Sequence, residues 1–130
     1  MVGYSGTPLP KKLGIKPQSK VLIVDCPASV RAELRDALSA SSEGAPLDFA
    51  IAFVKKQSDL KKHFAHMQKQ LAPAGMFWVS WPKKSSGVAS DLDENVIRKI
   101  GLDAGLVDVK VCAVDEVWSG LKFVRRKADR

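Results

Sequence analysis

The amino-acid sequence predicts a single α/β domain whose sheet is mostly parallel and closes with an antiparallel last strand. Three observations lead there. Apolar, β-branched runs alternate with stretches of helical periodicity in the order βαβαβαββ, and repeated strand–helix units favour parallel pairing. The last two apolar runs are joined by a short loop, which forces that pair antiparallel. With 130 residues, 45% of them hydrophobic, the chain is long enough for one core and too short for two ordinary domains.

Each element has its own signal. Residues 1–19 hold three glycines and three prolines, so they read as an irregular arm packed on a domain that spans 20–130, with room for a short turn at Pro10 to Leu13. "KVLIVD", Lys20 to Asp25, is a strand apolar on both faces. "ASVRAELRDALSA" places Val30, Leu34, Ala37 and Leu38 on one helical stripe, closed by Ser41, Ser42 and Gly44. Leu47 to Val54 is the second strand, with Phe49, Ile51 and Phe53 on one side and Ala50 and Ala52 on the other. Ser58 is the expected N-cap of a helix carrying Leu60, Phe64, Met67 and Leu71 inward, and "LAPAG" ends it. Gly75 to Trp81 is the third strand. Ser90 or Asp91 is the expected cap of the next helix, which Gly105 stops. Leu106 to Asp115 and Leu121 to Arg126 form the hairpin, joined through "EVWSG".

The net charge of +7 is located at the ends. Residues 1–20 carry Lys11, Lys12, Lys16 and Lys20 with no acid, and residues 121–130 carry five basic groups against Asp129, while the middle hundred come to −1. If the termini meet on one face they form a patch for nucleic acid or another polyanion; otherwise they are solvated ends. Two cysteines are too few for a disulfide framework, no run reaches the roughly 18 apolar residues of a membrane helix, and the N-terminus lacks a secretion signal. The expectation is a cytoplasmic protein with no membrane contact.

"LAPAG" before a hydrophobic strand and "GLDAGLVD" before a terminal hairpin resemble the C-terminal half of the class I S-adenosylmethionine-dependent methyltransferase fold, over about residues 47–126. The resemblance implies a Rossmann/methyltransferase-like sheet in two or three layers. In that family the first strand enters a glycine-rich turn that approaches the cofactor. Here Val24-Asp25-Cys26-Pro27-Ala28-Ser29 has no glycine, and Pro27 lacks a backbone donor, so no cofactor is expected. Over the whole chain, "GYSGTPL" with "KKLGI", "WPKKSSGV", "DENVIRKIGL" and "DEVWSGLKFVRR" resemble a small bacterial family of domains of unknown function, which implies no activity.

Two strand orders are open. In the order 1-2-3-5-4, right-handed crossovers put all three helices on one face, leaving the other for the N-terminal arm or a symmetric partner. In 2-1-3-5-4 the helices divide between both faces and a switch-point crevice forms beside Asp25.

Ligands of open α/β sheets bind beyond the C-terminal strand ends. That edge collects Asp25 and Cys26, Lys55 and Lys56, Trp81 to Ser86 and Glu116 to Ser119; Lys83 and Lys84 offer charge, Ser85 and Ser86 offer donors, Asp25 and Glu116 offer carboxylates, and Trp81 or Trp118 offers a stacking surface. The alternative is that Trp81 packs in the core and the lysines are solvated. Cys26 is a weak nucleophile candidate and Cys112 a structural residue. His63 and His66 stand three apart without a third ligand, so neither metal nor catalytic residues are expected. The function expected from these features is a non-catalytic binding or interaction module, as a possible homodimer. The alternatives are an anion or nucleic-acid binder using the basic termini and the "WPKKSSG" loop, or an enzyme acting on a small anionic substrate.

Overall fold

The computed structural model describes residues 7–42 and 44–130. The expected run from Gly3 to Ile15 therefore lies partly outside the described residues. The sheet has five strands: β1 (Val21–Val24), β2 (Leu47–Phe53), β3 (Leu71–Pro82), β4 (Leu106–Ala113) and β5 (Trp118–Arg125). Their order is β1-β2-β3-β5-β4, with β1, β2 and β3 parallel and β5 antiparallel to both β3 and β4. The helices are α1 (Leu9–Leu13), α2 (Ala28–Ser39), α3 (Gln57–Gln70) and α4 (Glu94–Asp103). The turn looked for at Pro10 is thus a short helix beginning one residue earlier. No helix among the described residues is long and apolar enough to cross a membrane.

Two apolar clusters flank the sheet. On one face Leu60, Phe64 and Met67 of α3 and Ile97 of α4 pack on Ala50, Ala52, Phe77, Val79 and Phe123. Small residues on β2 leave room there for an aromatic group in which Phe64 meets Phe77 and Phe123 edge to face at 5.2 and 5.0 Å. On the other face α1 and α2 bring Leu9, Leu13, Val30 and Leu34 onto Phe49, Ile51, Phe53 and Trp78. The buried Trp78 indole N–H donates to the Leu13 carbonyl at 2.8 Å, which ties the arm to the central strand.

The order is the first of the two expected, yet the helices divide as in the second. Both β1 to β2 and β2 to β3 step the same way across the sheet, while α2 and α3 lie on opposite faces. The expectation of three helices on one face is corrected, and the path after α2 gives the reason. That segment first runs along the outer edge of β1, where Ser42 makes a parallel bridge to Lys20. The Val21 amide donates to the Ser42 carbonyl at 2.8 Å and the Ser42 amide to the Ser19 carbonyl at 2.9 Å. Further on, the Asp48 and Phe49 amides donate to the Lys20 carbonyl on the inner edge. The step from β1 through α2 to Ser42 therefore goes outward on one face, and the step from β2 through α3 to β3 goes inward on the other. Opposite direction on opposite faces is the same hand, so the crossover rule is obeyed.

Three local expectations change. "LAPAG" belongs to β3: pairing jumps from Leu47 opposite Leu71 to Phe49 opposite Met76, so residues 72–75 bulge out. Helix α3 starts at Gln57, and its capping carboxylate is that of Asp91, which accepts from the Gln57 amide at 2.8 Å. Helix α4 is capped by Asp93, which accepts from the Val96 amide at 2.8 Å, rather than by Ser90 or Asp91.

Candidate functional site

Strand β1 ends at Val24, and the chain turns through Asp25 at φ 55°, a left-handed conformation rare outside glycine and best tolerated by Asp and Asn. Cys26 and Pro27 then lead into α2 on one face. Strand β2 ends at Phe53, and Val54, Lys55 and Lys56 lead into α3 on the other. Because the chain leaves adjacent parallel strands in opposite directions, a crevice of ≈ 710 Å³ opens between their C-terminal ends.

The crevice has an apolar floor and a charged rim. Phe53 and Trp118 meet edge to face at 5.3 Å, which sets the indole of the β4–β5 hairpin against the end of β2. The Asp115 carboxylate holds that hairpin turn, accepting from the Val117 and Trp118 amides at 2.8 and 2.7 Å. Lys55, Lys56 and Lys62 line the rim with Asp25 and Asp59. The loop before α4 stiffens one wall: Ser90 Oγ donates to the Lys55 carbonyl at 2.8 Å, and Gln57 Nε2 donates to the Asp91 carbonyl at 2.9 Å.

His63 also lines the crevice. Burial pushes its pKa down, against the opposing fields of Asp25 and Asp59, and His66 adds to the depression. The imidazole is therefore held neutral near pH 7, able to accept a proton. His66 instead lines a separate groove along the outer edge of β1. Burial pushes the Cys26 thiol up, with only partial relief from Arg31, the reverse of what a nucleophilic thiolate requires.

Among the residues singled out in the sequence, Asp25, Lys55, Lys56 and Trp118 line this crevice. Trp81 is 7% exposed and packs in the cluster under α3 and α4. Lys83 donates its amide to the Val117 carbonyl at 2.7 Å, and Lys84 to Ser86 form a single 3₁₀ turn closed by Ser86 Oγ on the Lys83 carbonyl at 2.6 Å. Lys83, Lys84, Ser85 and Ser86 stand outside the crevice, as does the exposed Glu116. Phe53, Asp59 and Lys62 were not legible as site residues, and His63 was weighed only as a metal ligand. Their signal was positional, the end of β2 and the first turns of α3, and it has meaning only once α2 is known to leave by the other face.

The basic termini do not come together as a whole: Lys122 lies on the face of α1, but Arg125 and Arg126 are held elsewhere. Arg125 donates to the Leu71 and Gln68 carbonyls and Arg126 to that of Leu102, at the ends of α3 and α4, whereas Lys11 and Lys12 lie on α1 across the sheet.

No family model matches this sequence, and no curated protein does. Solved structures do. The magnesium protoporphyrin IX methyltransferase of Synechocystis PCC 6803 with bound SAH is similar at a TM-score of 0.60 and 13% identity, covering 85% of this chain and 75% of that one. The fold is methyltransferase-like. A TehB-like SAM-dependent methyltransferase from Corynebacterium glutamicum is similar at 0.57 and 6% identity, over 95% of this chain and 90% of that one. Fibrillarin from Aeropyrum pernix with natively bound S-adenosyl-L-methionine is similar at 0.54 and 14% identity, over 94% and 70%. The expectation of a non-catalytic interaction module, with its anion- or nucleic-acid-binding alternative built on the termini and the "WPKKSSG" loop, is corrected by these methyltransferase neighbours.

Proposed function

We propose that this protein is an S-adenosylmethionine-dependent methyltransferase whose cofactor sits in the crevice between the ends of β1 and β2. The observation that carries the reading is Asp25 at φ 55° on the crevice rim. The missing glycine had argued against a cofactor turn, but a left-handed residue is what glycine supplies in such turns, and here an aspartate supplies it with a carboxylate added. The volume lies within the range of small-molecule sites, about 300–1,000 Å³.

The residues fit the group. The Trp118 indole offers an aromatic wall for the adenine, Asp25 accepts hydrogen bonds from hydroxyl or ammonium groups, and Lys55, Lys56 or Lys62 attracts the carboxylate. When bound, the cofactor supplies an electrophilic methyl group. The neutral His63 is the crevice group suited to take a proton from an acceptor nucleophile. Both cysteines are free thiols, in keeping with a reducing compartment, so this reading takes the protein as cytoplasmic.

Titration calorimetry with S-adenosylmethionine and S-adenosylhomocysteine tests the reading. Saturable binding is expected, weakened about tenfold by Trp118→Ala through lost stacking. Asp25→Asn should also weaken it while keeping the left-handed turn. Absence of heat at millimolar ligand, in a protein that unfolds cooperatively, would sink the proposal.

A further inference from the structure

Strand β1 ends the sheet, and on its outer side only the Val21 amide is taken, by the Ser42 carbonyl. The Lys20 carbonyl faces β2 and the Val21 amide faces outward, so the alternation of a strand turns the Ile23 amide and carbonyl outward as well. No backbone group among the described residues meets them. The other edge strand, β4, is blunted by a bulge between Asp108 and Lys110 and by that lysine. Strand β1 has neither device: Val21 to Val24 is wholly apolar and pairs with β2 in unbroken register.

Beside that open edge runs a groove of ≈ 580 Å³. Leu22 and Ile23 line it from the strand, Arg31 and Leu38 from α2, and His66 and Gln70 from α3. It shares no lining residue with the crevice. The ion pairs among the described residues join Arg98 to Glu94 and Asp108 and Lys99 to Asp103, so Arg31 is paired with no described carboxylate, and none lines the groove.

We propose that the outer edge of β1 accepts an extended, acidic segment of a partner protein, which adds one strand to the sheet. In such docking the unpaired backbone of the edge supplies main-chain hydrogen bonds, and the flanking side chains read alternate residues of the segment. Those residues point to opposite faces, so acids on the α2 side meet Arg31 while apolar side chains on the α3 side meet Leu22. A second copy of this chain fits the edge less well. Antiparallel pairing of two β1 edges would set Arg31 near its own copy, in chains that each carry a net charge of +7.

The test follows backbone amide signals by NMR during titration with the peptide acetyl-Val-Glu-Val-Glu-Val-Glu-amide and with its lysine counterpart. Saturable shifts at Val21 to Val24 and slower hydrogen exchange at the Ile23 amide are expected with the glutamate peptide, and about tenfold weaker binding of the lysine one. N-methylation of one set of alternate peptide residues should abolish binding and that of the other set should spare it, since only one set faces the edge. Ile23→Pro removes the outward amide and leaves the ladder to β2, so it should weaken binding about tenfold. Arg31→Glu, at an exposed helix position, should reverse the preference between the peptides, and it carries the test if the proline variant does not fold. Shifts absent at millimolar peptide, equal binding of both peptides, equal loss on methylating either set, or a peptide-free dimer that itself protects the Ile23 amide would overturn the proposal. S-adenosylmethionine binding in the crevice is read separately and stands or falls without it.

Discussion

Gly101 lies on the buried side of α4, where an added Cβ would run into the Phe123 ring. Inside a helix, alanine is ordinarily favoured over glycine by about 1 kcal/mol. Here overpacking, which costs about 1–3 kcal/mol, opposes that gain, and Phe123 is fully buried against Phe64 and cannot swing aside. Gly101→Ala should therefore lower stability by about 1 kcal/mol, read as a lower urea midpoint; a higher midpoint would mean the ring yields. Nothing in "RKIGLDAG" marks Gly101 apart from Gly105, because the ring that needs the space comes from β5. Asp25 teaches the same point at the crevice. Its type was visible, but its left-handed backbone, which turns a missing glycine into a usable turn, was not.

The strands and helices were largely legible, since apolar periodicity reports directly on which side chains leave water. Their ends were less so. Ser58 has the right type and place for an N-cap, yet the Gln57 amide is taken by Asp91, a partner 34 residues away. Asp91→Ala should cost about 1 kcal/mol, the usual value of a cap. It should also speed hydrogen exchange at the Gln57 amide, while Ser58→Ala leaves both unchanged. Equal effects of the two would contradict the assigned cap. Because Asp91 and Ser90 also fasten the Lys55–Gln57 wall, the first variant should weaken cofactor binding in the crevice as well.

At the scale of the molecule, the sheet needs both faces covered, and α1 with the segment after it completes one of them. Leu9, Leu13 and Ile15 are buried there, and full burial of such side chains is worth about 1.5–3 kcal/mol each. Deleting residues 1–15 thus removes roughly 5 kcal/mol, comparable with the entire net stability of a small domain, about 5–15 kcal/mol. The truncated chain should lose cooperative unfolding and bind a hydrophobic dye; an unchanged thermal midpoint would show that the arm is dispensable. By itself the sequence determined the alternation of strands and helices, the antiparallel ending and the two-sided apolarity of β1 to β3, because each is written in the local spacing of apolar residues. Tertiary structure alone decided that α2 leaves by the opposite face, that a crevice therefore opens beside Asp25, and that His63 and Trp118 both line it. Those facts depend on the Ser42 bridge at the outer edge of β1, a contact between segments distant in sequence that no local pattern encodes.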